Sequence, residues 1–146
     1  MSNGSKSNKH ILLVEDTEGH ECFYRGEIKE LEKHYGSIRV TSVDSFQEVD
    51  EFVQKVKGSK EKVDCAVVDM EIWQHRRADR TPDEGVDIHW GIQAFKRIQE
   101  IVVLKKVLIV TAYSLAGHLM PVGMKRVMPK SVHPQDFRDK VAQMLK

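Results

Sequence analysis

The sequence contains few cysteines, no long apolar run and almost no net charge. Its two cysteines, Cys22 and Cys65, form no CxxC pair, which argues against a disulfide framework or structural zinc and favours a reducing compartment. We expect both thiols to lie in or near the core. No apolar run approaches the ~20 residues of a membrane-spanning helix, and no apolar signal core follows Met1. Together, 23 Lys and Arg and 22 Asp and Glu give a net charge of +1. We therefore expect a cytoplasmic protein without membrane insertion or direct nucleic-acid contact.

What the sequence does contain is enough apolar residues for one core. The chain has 146 residues, 40% of them hydrophobic, which is the size of a single domain. Residues 1–9 are polar and of low complexity, so we expect a disordered tail followed by a domain over residues 10–146. From His10 onward, short apolar runs alternate with helical patterns, which is typical of βαβ units.

The periodicity predicts alternating strands and helices. Short apolar runs predict five strands, at Ile11–Val14, Ile38–Val43, Val63–Val68, Lys106–Val110 and Arg126–Met128. Apolar stripes at helical spacing predict four helices, over residues 17–35, after the Ser45 and Glu48 capping box, from Ile88 to about Glu100 and from Pro134 onward.

Reactive polar residues follow four of the five predicted strands. Glu15 and Asp16 follow the first strand, Asp69 the third, Thr111 the fourth and Lys130 the fifth. We expect them to meet, because the carboxyl ends of parallel strands share one edge of the sheet. Clustered carboxylates repel one another unless a cation lies among them, and Mg²⁺ prefers such oxygen ligands. Lys130 and Thr111 would then contact phosphate oxygens, and Asp69 is the natural nucleophile for phosphorus.

Five segments, in order, resemble the receiver domain of two-component response regulators. They are ILLVED at 11–16, CAVVDM at 65–70, WGIQAFKRIQ at 90–99, VLIVTAY at 107–113 and MPKS at 128–131. The resemblance implies an α/β, flavodoxin-like, doubly wound parallel sheet of five strands in the order 2-1-3-4-5, with helices on both faces. It also implies that Asp69 accepts a phosphoryl group from a histidine kinase or phosphotransfer protein in a phosphorelay. The phosphoprotein would signal to an unknown downstream protein.

The resemblance also implies a Mg²⁺ site. Asp16 and Asp69 would bind the ion directly, Glu15 would act through a water molecule, and the backbone carbonyl of Glu71 would be a further ligand. In this family the only chemistry expected of the chain is phosphorylation and dephosphorylation at Asp69, so it is not otherwise an enzyme.

Further roles near the acceptor are implied by the same resemblance. The Thr111 hydroxyl would move toward the phosphoryl group, and Lys130 would form a salt bridge with it. Glu71 and Tyr113, two residues beyond Asp69 and Thr111, would tune the access of water to the acyl phosphate.

Several features depart from the family pattern. The stretch from Met70 to Glu84 is longer than the ~2–6 residues usual for a βα loop, so we expect an exposed, mobile insertion. It carries three arginines near an acidic pocket: Arg76, Arg77 and Arg80. Ser131 stands where the family has proline, so we expect a trans Lys130–Ser131 bond. Val127 stands where the family has a switch aromatic.

Three other interpretations stay open. Val127 and Ser131 are compatible with a receiver-like interaction module that works without phosphorylation. An aspartate-nucleophile phosphatase of the haloacid-dehalogenase type is a remote alternative, since that family expects a second Asp where this chain has Glu71. The basic stretch from residue 101 to 135, with Lys105, Lys106, Lys125 and Arg126, indicates either a solvated face or a docking surface for an acidic protein.

Overall fold

The computed structural model describes residues 8–111, 127–130 and 132–146. Tyr113, Lys125, Arg126 and Ser131 lie outside these ranges. Water access at Tyr113, the basic docking surface and the trans bond before Ser131 therefore stay predictions. Within the described ranges, no helix is both long and apolar enough to cross a bilayer.

Five parallel strands form one sheet in the order β2-β1-β3-β4-β5. The strands are β1 (Lys9–Val14), β2 (Ile38–Val43), β3 (Cys65–Asp69), β4 (Val107–Thr111) and β5 (Val127–Pro129). The helices of the described residues are α1 (Glu18–Glu30), α2 (Glu32–Tyr35), α3 (Phe46–Lys57), α4 (Ile88–Ile98) and α5 (Pro134–Leu145). The predicted fold class and strand order are confirmed. Lys9, which the sequence assigned to the tail, is the first residue of β1.

Helices cover both faces of the sheet, as predicted. Ile11 and Leu13 of β1 join one apolar cluster with α1 and α5, whereas Leu12 and Val14 join another with α3 and α4. Strands buried on both faces need continuous apolar runs, which explains why the polar residues of β1, β3 and β4 stand only at the strand ends. Of the two cysteines, Cys65 is buried in β3, but Cys22 is exposed on α1, so the expectation of a near-core position for Cys22 was wrong.

Local capping sets where the helices begin. The Ser45 hydroxyl accepts a hydrogen bond from the Glu48 amide at 3.2 Å, and the Glu48 carboxylate accepts one from the Asp44 amide, also at 3.2 Å. The Ser45 half of the predicted capping box is confirmed, whereas the Glu48 carboxylate bonds to the amide of Asp44, the residue before the N-cap. The first predicted helix is divided, because α1 ends at Glu30 and α2 begins at Glu32. Gly36, with a φ of 77°, follows the last residue of α2 and ends the helix.

The connection from β3 to α4 runs over residues 70–87, and its first part is buried. Met70 and Ile72 are both 0% exposed. The Trp73 and Gln74 carbonyls accept hydrogen bonds from the Phe46 and Gln47 amides at 2.8 and 3.0 Å. The expectation of an exposed segment was therefore wrong for this part, because its apolar residues pack into the core beneath its charged ones. That the segment is an insertion relative to receivers stays a prediction.

Gly91 brings α4 directly against the end of β3. A Cβ atom built on Gly91 would lie 1.9 Å from the Met70 carbonyl oxygen, well inside contact distance. The helix can approach this closely only because glycine has no side chain. The contact fixes α4 relative to the residue that follows Asp69.

Candidate functional site

The strand order brings the polar residues at the strand ends to one edge of the sheet. Val14 pairs with Val68, so Glu15 follows β1 beside Asp69, the last residue of β3. One oxygen from each of Glu15, Asp16 and Asp69 lies within 4.8 Å of the others. Glu15 and Asp69 are buried, and Asp16 is half-buried. We refer to these three side chains as the acidic cluster.

Lys130 reaches the acidic cluster from the end of β5. Its Nζ lies 2.8 Å from Asp69 Oδ2 and 3.3 Å from both Glu15 Oε2 and Asp16 Oδ1. The Lys130 amide donates to the Thr111 carbonyl at 3.0 Å, which holds the lysine backbone beside the end of β4. Burial opposes the ammonium charge, but the three carboxylates outweigh it and raise the pKa of Lys130 above its ordinary value.

One lysine does not balance three carboxylates. Burial, followed by the Asp16 and Glu15 carboxylates, raises the pKa of Asp69 to about 9. Burial and Asp16 also raise the pKa of Glu15. For Asp16, burial opposes ionisation, but hydrogen bonding within the cluster and the Lys130 charge lower its pKa to about 2. The site is thus short of positive charge.

The donor set fits a hard divalent cation. Glu15 Oε1 is buried and has no hydrogen-bond partner among the described residues. Such an oxygen is costly to bury unless an ion or a water molecule contacts it. Carboxylate oxygens, with Asp16 still partly exposed to water, are the ligands that Mg²⁺ and similar ions prefer.

The remaining predicted site residues lie around the acidic cluster. Thr111 is buried, 2% exposed, and is paired with Pro129 immediately before Lys130. The Glu71 amide donates to Asp69 Oδ1 at 3.1 Å, so the backbone at Glu71 lies beside the Asp69 carboxylate. The Glu71 side chain is half-buried. Tyr113 lies outside the described residues.

A cleft of about 330 Å³ opens beside the acidic cluster. Glu15 and Asp16 form one side, and Asp69 does not line it. The other lining residues come from α1, from the end of β2 with the start of α3, and from the β3–α4 connection: Thr17, Glu18, Glu21, Ser42, Val43, Asp44, Glu48 and Arg77. The sequence predicted an acidic pocket, but it did not assign Asp44 or Glu48 to it, because helix capping was reason enough for a polar residue at either position.

Sequence reasoning also missed the polar character of Tyr24. The side chain belongs to the predicted apolar stripe of α1 and is 1% exposed. Its hydroxyl is buried without a hydrogen-bond partner among the described residues. Burial, followed by the Glu15 charge, raises the pKa of this phenol. A hydroxyl-bearing aromatic on an otherwise apolar stripe is the signal that could have identified it.

The sheet order and the covered faces define a flavodoxin-like α/β fold, the fold of response-regulator receiver domains. The chain is similar to the phosphorylated cyanobacterial phytochrome response regulator RcpA, with a TM-score of 0.61 and 16% identity over 94% of this chain and 91% of that one. It is also similar to the Mn²⁺-bound form of response regulator Rcp1, with a TM-score of 0.59 and 15% identity over 93% of this chain and 91% of that one.

A third solved structure is part of a much larger chain. The lysine decarboxylase LdcF of Francisella novicida matches 96% of this chain with a TM-score of 0.55 and 15% identity. The match covers only 17% of the decarboxylase. No protein-family model and no curated protein matches the sequence. At these identities the structural likeness shows a shared fold.

Proposed function

We propose that the protein is a phosphoacceptor receiver that takes a phosphoryl group onto Asp69 with Mg²⁺. One observation carries the proposal: the acidic cluster and Lys130 meet at the carboxyl edge of this sheet, with Lys130 Nζ 2.8 Å from Asp69 Oδ2. In open α/β sheets this edge is where ligands bind. The response-regulator fold of RcpA and Rcp1 supports the same interpretation.

In the proposed reaction Asp69 is the nucleophile. A carboxylate oxygen of Asp69 forms a bond to phosphorus as the bond between phosphorus and the donor breaks. The donor leaves with the electron pair, as a neutral imidazole once protonated when the donor is a phosphohistidine. The Lys130 ammonium compensates the charge of the aspartate and then of the phosphoryl group. Thr111, buried at the end of β4, supplies a hydroxyl toward the same edge.

Asp16 and Asp69 would hold a divalent ion directly, with Glu15 acting through water and the Glu71 carbonyl as a further ligand. A bound Mg²⁺ supplies electrostatic neutralisation of the phosphoryl oxygens. Two observations support this assignment: Glu15 Oε1 has no hydrogen-bond partner among the described residues, and the three carboxylates are not balanced by Lys130. Rcp1 is described in a Mn²⁺-bound form, which supports a divalent ion in this fold.

The proposed partners follow from this chemistry. A histidine kinase or phosphotransfer protein in the cytoplasm would supply the phosphoryl group, and a downstream protein would recognise the phosphorylated surface. Glu71 and Tyr113 are proposed to tune hydrolysis of the acyl phosphate. Apart from its own phosphorylation and dephosphorylation, the chain would carry out no catalysis.

Intact-mass spectrometry after incubation with acetyl phosphate and Mg²⁺ tests the proposal. Wild type should gain one phosphoryl group, and Asp69→Asn should gain none. Asp64→Asn is the matched control: Asp64 is also a buried acid, but it lies before β3 and accepts a hydrogen bond from the His10 amide at 2.8 Å, so this variant should be phosphorylated.

An unmodified wild type would contradict the proposal and favour the phosphorylation-independent interaction module. A third result, multiple-turnover release of phosphate from simple phosphate esters, would favour the aspartate-nucleophile phosphatase. The acidic pair after β1 has no place in that family's motif order, and Glu71 stands where its second Asp is expected.

A further inference from the structure

Among the residues that the structure describes, one cationic residue lines the cleft beside the acidic cluster. Of its described lining residues, Arg77 is basic, whereas Glu15, Asp16, Glu18, Glu21, Asp44 and Glu48 are acidic. An anionic phosphodonor that approaches through this cleft meets a negative potential. It needs a cation on its path that is not already neutralised.

The other cations near the cleft that the structure describes are already paired. Lys130 contacts all three carboxylates of the acidic cluster. Arg76 is paired with Glu51 and Asp79. Arg80 lies 2.9 Å from Asp44 Oδ1, and its guanidinium lies over the Trp73 ring at 4.0 Å. Arg77 is exposed and has no ion-pair partner in the described part of the chain.

The backbone on either side of Arg77 is held in place. The Arg76 amide donates to Gln47 Oε1 at 2.8 Å, and Gln47 Nε2 donates to Asp79 Oδ2 at 3.1 Å. Arg80 Nε donates to the His75 carbonyl at 2.9 Å. These bonds fix a short 3₁₀ turn, Arg77–Asp79, against the start of α3. The turn therefore places Arg77, whose side chain has no ion-pair partner in the described part of the chain, at the wall of the cleft.

We propose that Arg77 binds the phosphoryl group of the incoming donor and so selects anionic phosphodonors for Asp69. The inference rests on the proposed function. A guanidinium suits this task because its N–H groups match two phosphate oxygens and it keeps its charge at all physiological pH values. Arg77 acts on donor binding; Asp69 and Lys130 act on the transfer itself.

The test measures the rate of Asp69 phosphorylation against acetyl phosphate concentration at saturating Mg²⁺. In Arg77→Ala the half-saturating concentration should rise about fivefold, the effect of one exposed charge on a dianion, with the saturated rate unchanged. Arg77→Lys should show a smaller rise, and Arg77→Glu a larger one. The differences should shrink at ~1 M salt, where the Debye length is about 3 Å. Arg39→Ala is the matched control and should behave as wild type, because Arg39 lies near the amino end of β2, whereas the cleft lies at the carboxyl end of that strand.

A second readout does not depend on phosphorylation. Mg²⁺ binding, followed by tryptophan fluorescence, should be as tight or tighter in Arg77→Ala, because a positive charge has been removed from the cleft. Weaker Mg²⁺ binding or a lower saturated rate would assign Arg77 a structural role and overturn the inference. So would an unchanged half-saturating concentration in Arg77→Ala, or an equal rise in Arg39→Ala. A wild type that is never phosphorylated would overturn the proposed function as well, and is recognised without any variant.

Discussion

At the scale of single residues, the site stores electrostatic repulsion that a bound cation would relieve. Three carboxylates share one ammonium, and two of them, Glu15 and Asp69, are almost fully buried. Burial and the neighbouring carboxylates therefore raise the pKa of Asp69. For stability alone, well-packed apolar side chains would serve better than buried charges that exceed their partners.

Replacing Asp69 with asparagine should stabilise the metal-free protein. The pKa of Asp69 is about 9 in the folded protein, compared with an ordinary value of 3.8. Between these two pH values the folded protein therefore keeps a proton that the unfolded chain releases. Stability must then fall as pH rises through this window. We expect the free energy of unfolding of Asp69→Asn to exceed that of wild type by about 2 kcal/mol at about pH 8. The variant should also lose most of this pH dependence.

Urea unfolding with a chelator at about pH 5 and about pH 8 measures both effects. Lys130 keeps Glu15 and Asp16 as partners in this variant, so the lysine is not left as an unpaired buried charge. Equal pH dependence in the two proteins would show that Asp69 is not the group that takes up the proton.

The buried hydroxyl of Tyr24 should be dispensable for stability. It has no hydrogen-bond partner in the described structure, so its burial costs desolvation energy without a compensating bond. We expect Tyr24→Phe to hold or raise the free energy of unfolding, by up to about 1 kcal/mol. Tyr35→Phe is the matched control, because the Tyr35 hydroxyl donates to the Ala142 carbonyl at 3.3 Å and its loss should cost about 1 kcal/mol. A large loss in Tyr24→Phe would reveal a partner for that hydroxyl.

At the scale of elements, α4 and the end of β3 behave as one unit. Gly91 lies directly against the Met70 backbone, and Met70 follows Asp69. Asp69 is therefore positioned by a helix as well as by its own strand. A shift of α4 would also displace the Glu71 amide, which donates a hydrogen bond to Asp69 Oδ1.

A methyl group at Gly91 should disrupt this contact. Because its Cβ would overlap the Met70 carbonyl at 1.9 Å, Gly91→Ala should lower the free energy of unfolding by about 3 kcal/mol. Gly26→Ala is the matched control, since Gly26 lies in α1 with nothing within 4 Å and should gain about 0.5–1 kcal/mol from helix propensity. Chemical denaturation compares the two variants. Similar effects at both positions would show that α4 moves away without cost.

The elements and most of the site could be predicted from the sequence, for identifiable reasons. Continuous apolar runs ending in Asp16 or Asp69 locate buried parallel strands and their carboxyl ends. Lys130 lies 115 and 114 residues along the chain from Glu15 and Asp16. Its contacts with them depend on the order of the strands in the sheet, which the family resemblance supplied. The fold of residues 70–76 could not be predicted, because the Trp73 and Gln74 carbonyls bond to backbone amides at the start of α3. Backbone contacts between distant segments leave no periodic pattern in the sequence.

At the scale of the whole molecule, one sheet separates two apolar clusters and holds the site at its edge. The clusters account for the stability of the fold, whereas the acidic cluster opposes it. Cation binding should therefore be visible as a change in global stability.

Mg²⁺ should raise the thermal unfolding midpoint of wild type but not of Asp16→Ala. At a concentration ~100 times the dissociation constant, one bound ion adds about 2.7 kcal/mol. Asp16→Ala removes a proposed ligand from a partly exposed position, so the variant should stay folded and not be phosphorylated. Asp139→Ala, on the exposed face of α5, should keep the full shift. An unfolded Asp16→Ala, or one with the wild-type shift, would contradict this prediction.

The Phe46 and Gln47 amides, at the start of α3, donate to the Trp73 and Gln74 carbonyls of the β3–α4 connection. Water can therefore reach these two amides only when the β3–α4 connection moves away from α3. The first amides of a helix have no acceptor within the helix, so the Phe46 and Gln47 amides exchange with deuterium only when their hydrogen bonds to the β3–α4 connection break. Their exchange rates report how often the segment after Asp69 opens. If a ligand in the cleft makes the β3–α4 connection open less often, the Phe46 and Gln47 amides should exchange more slowly, although both lie on α3.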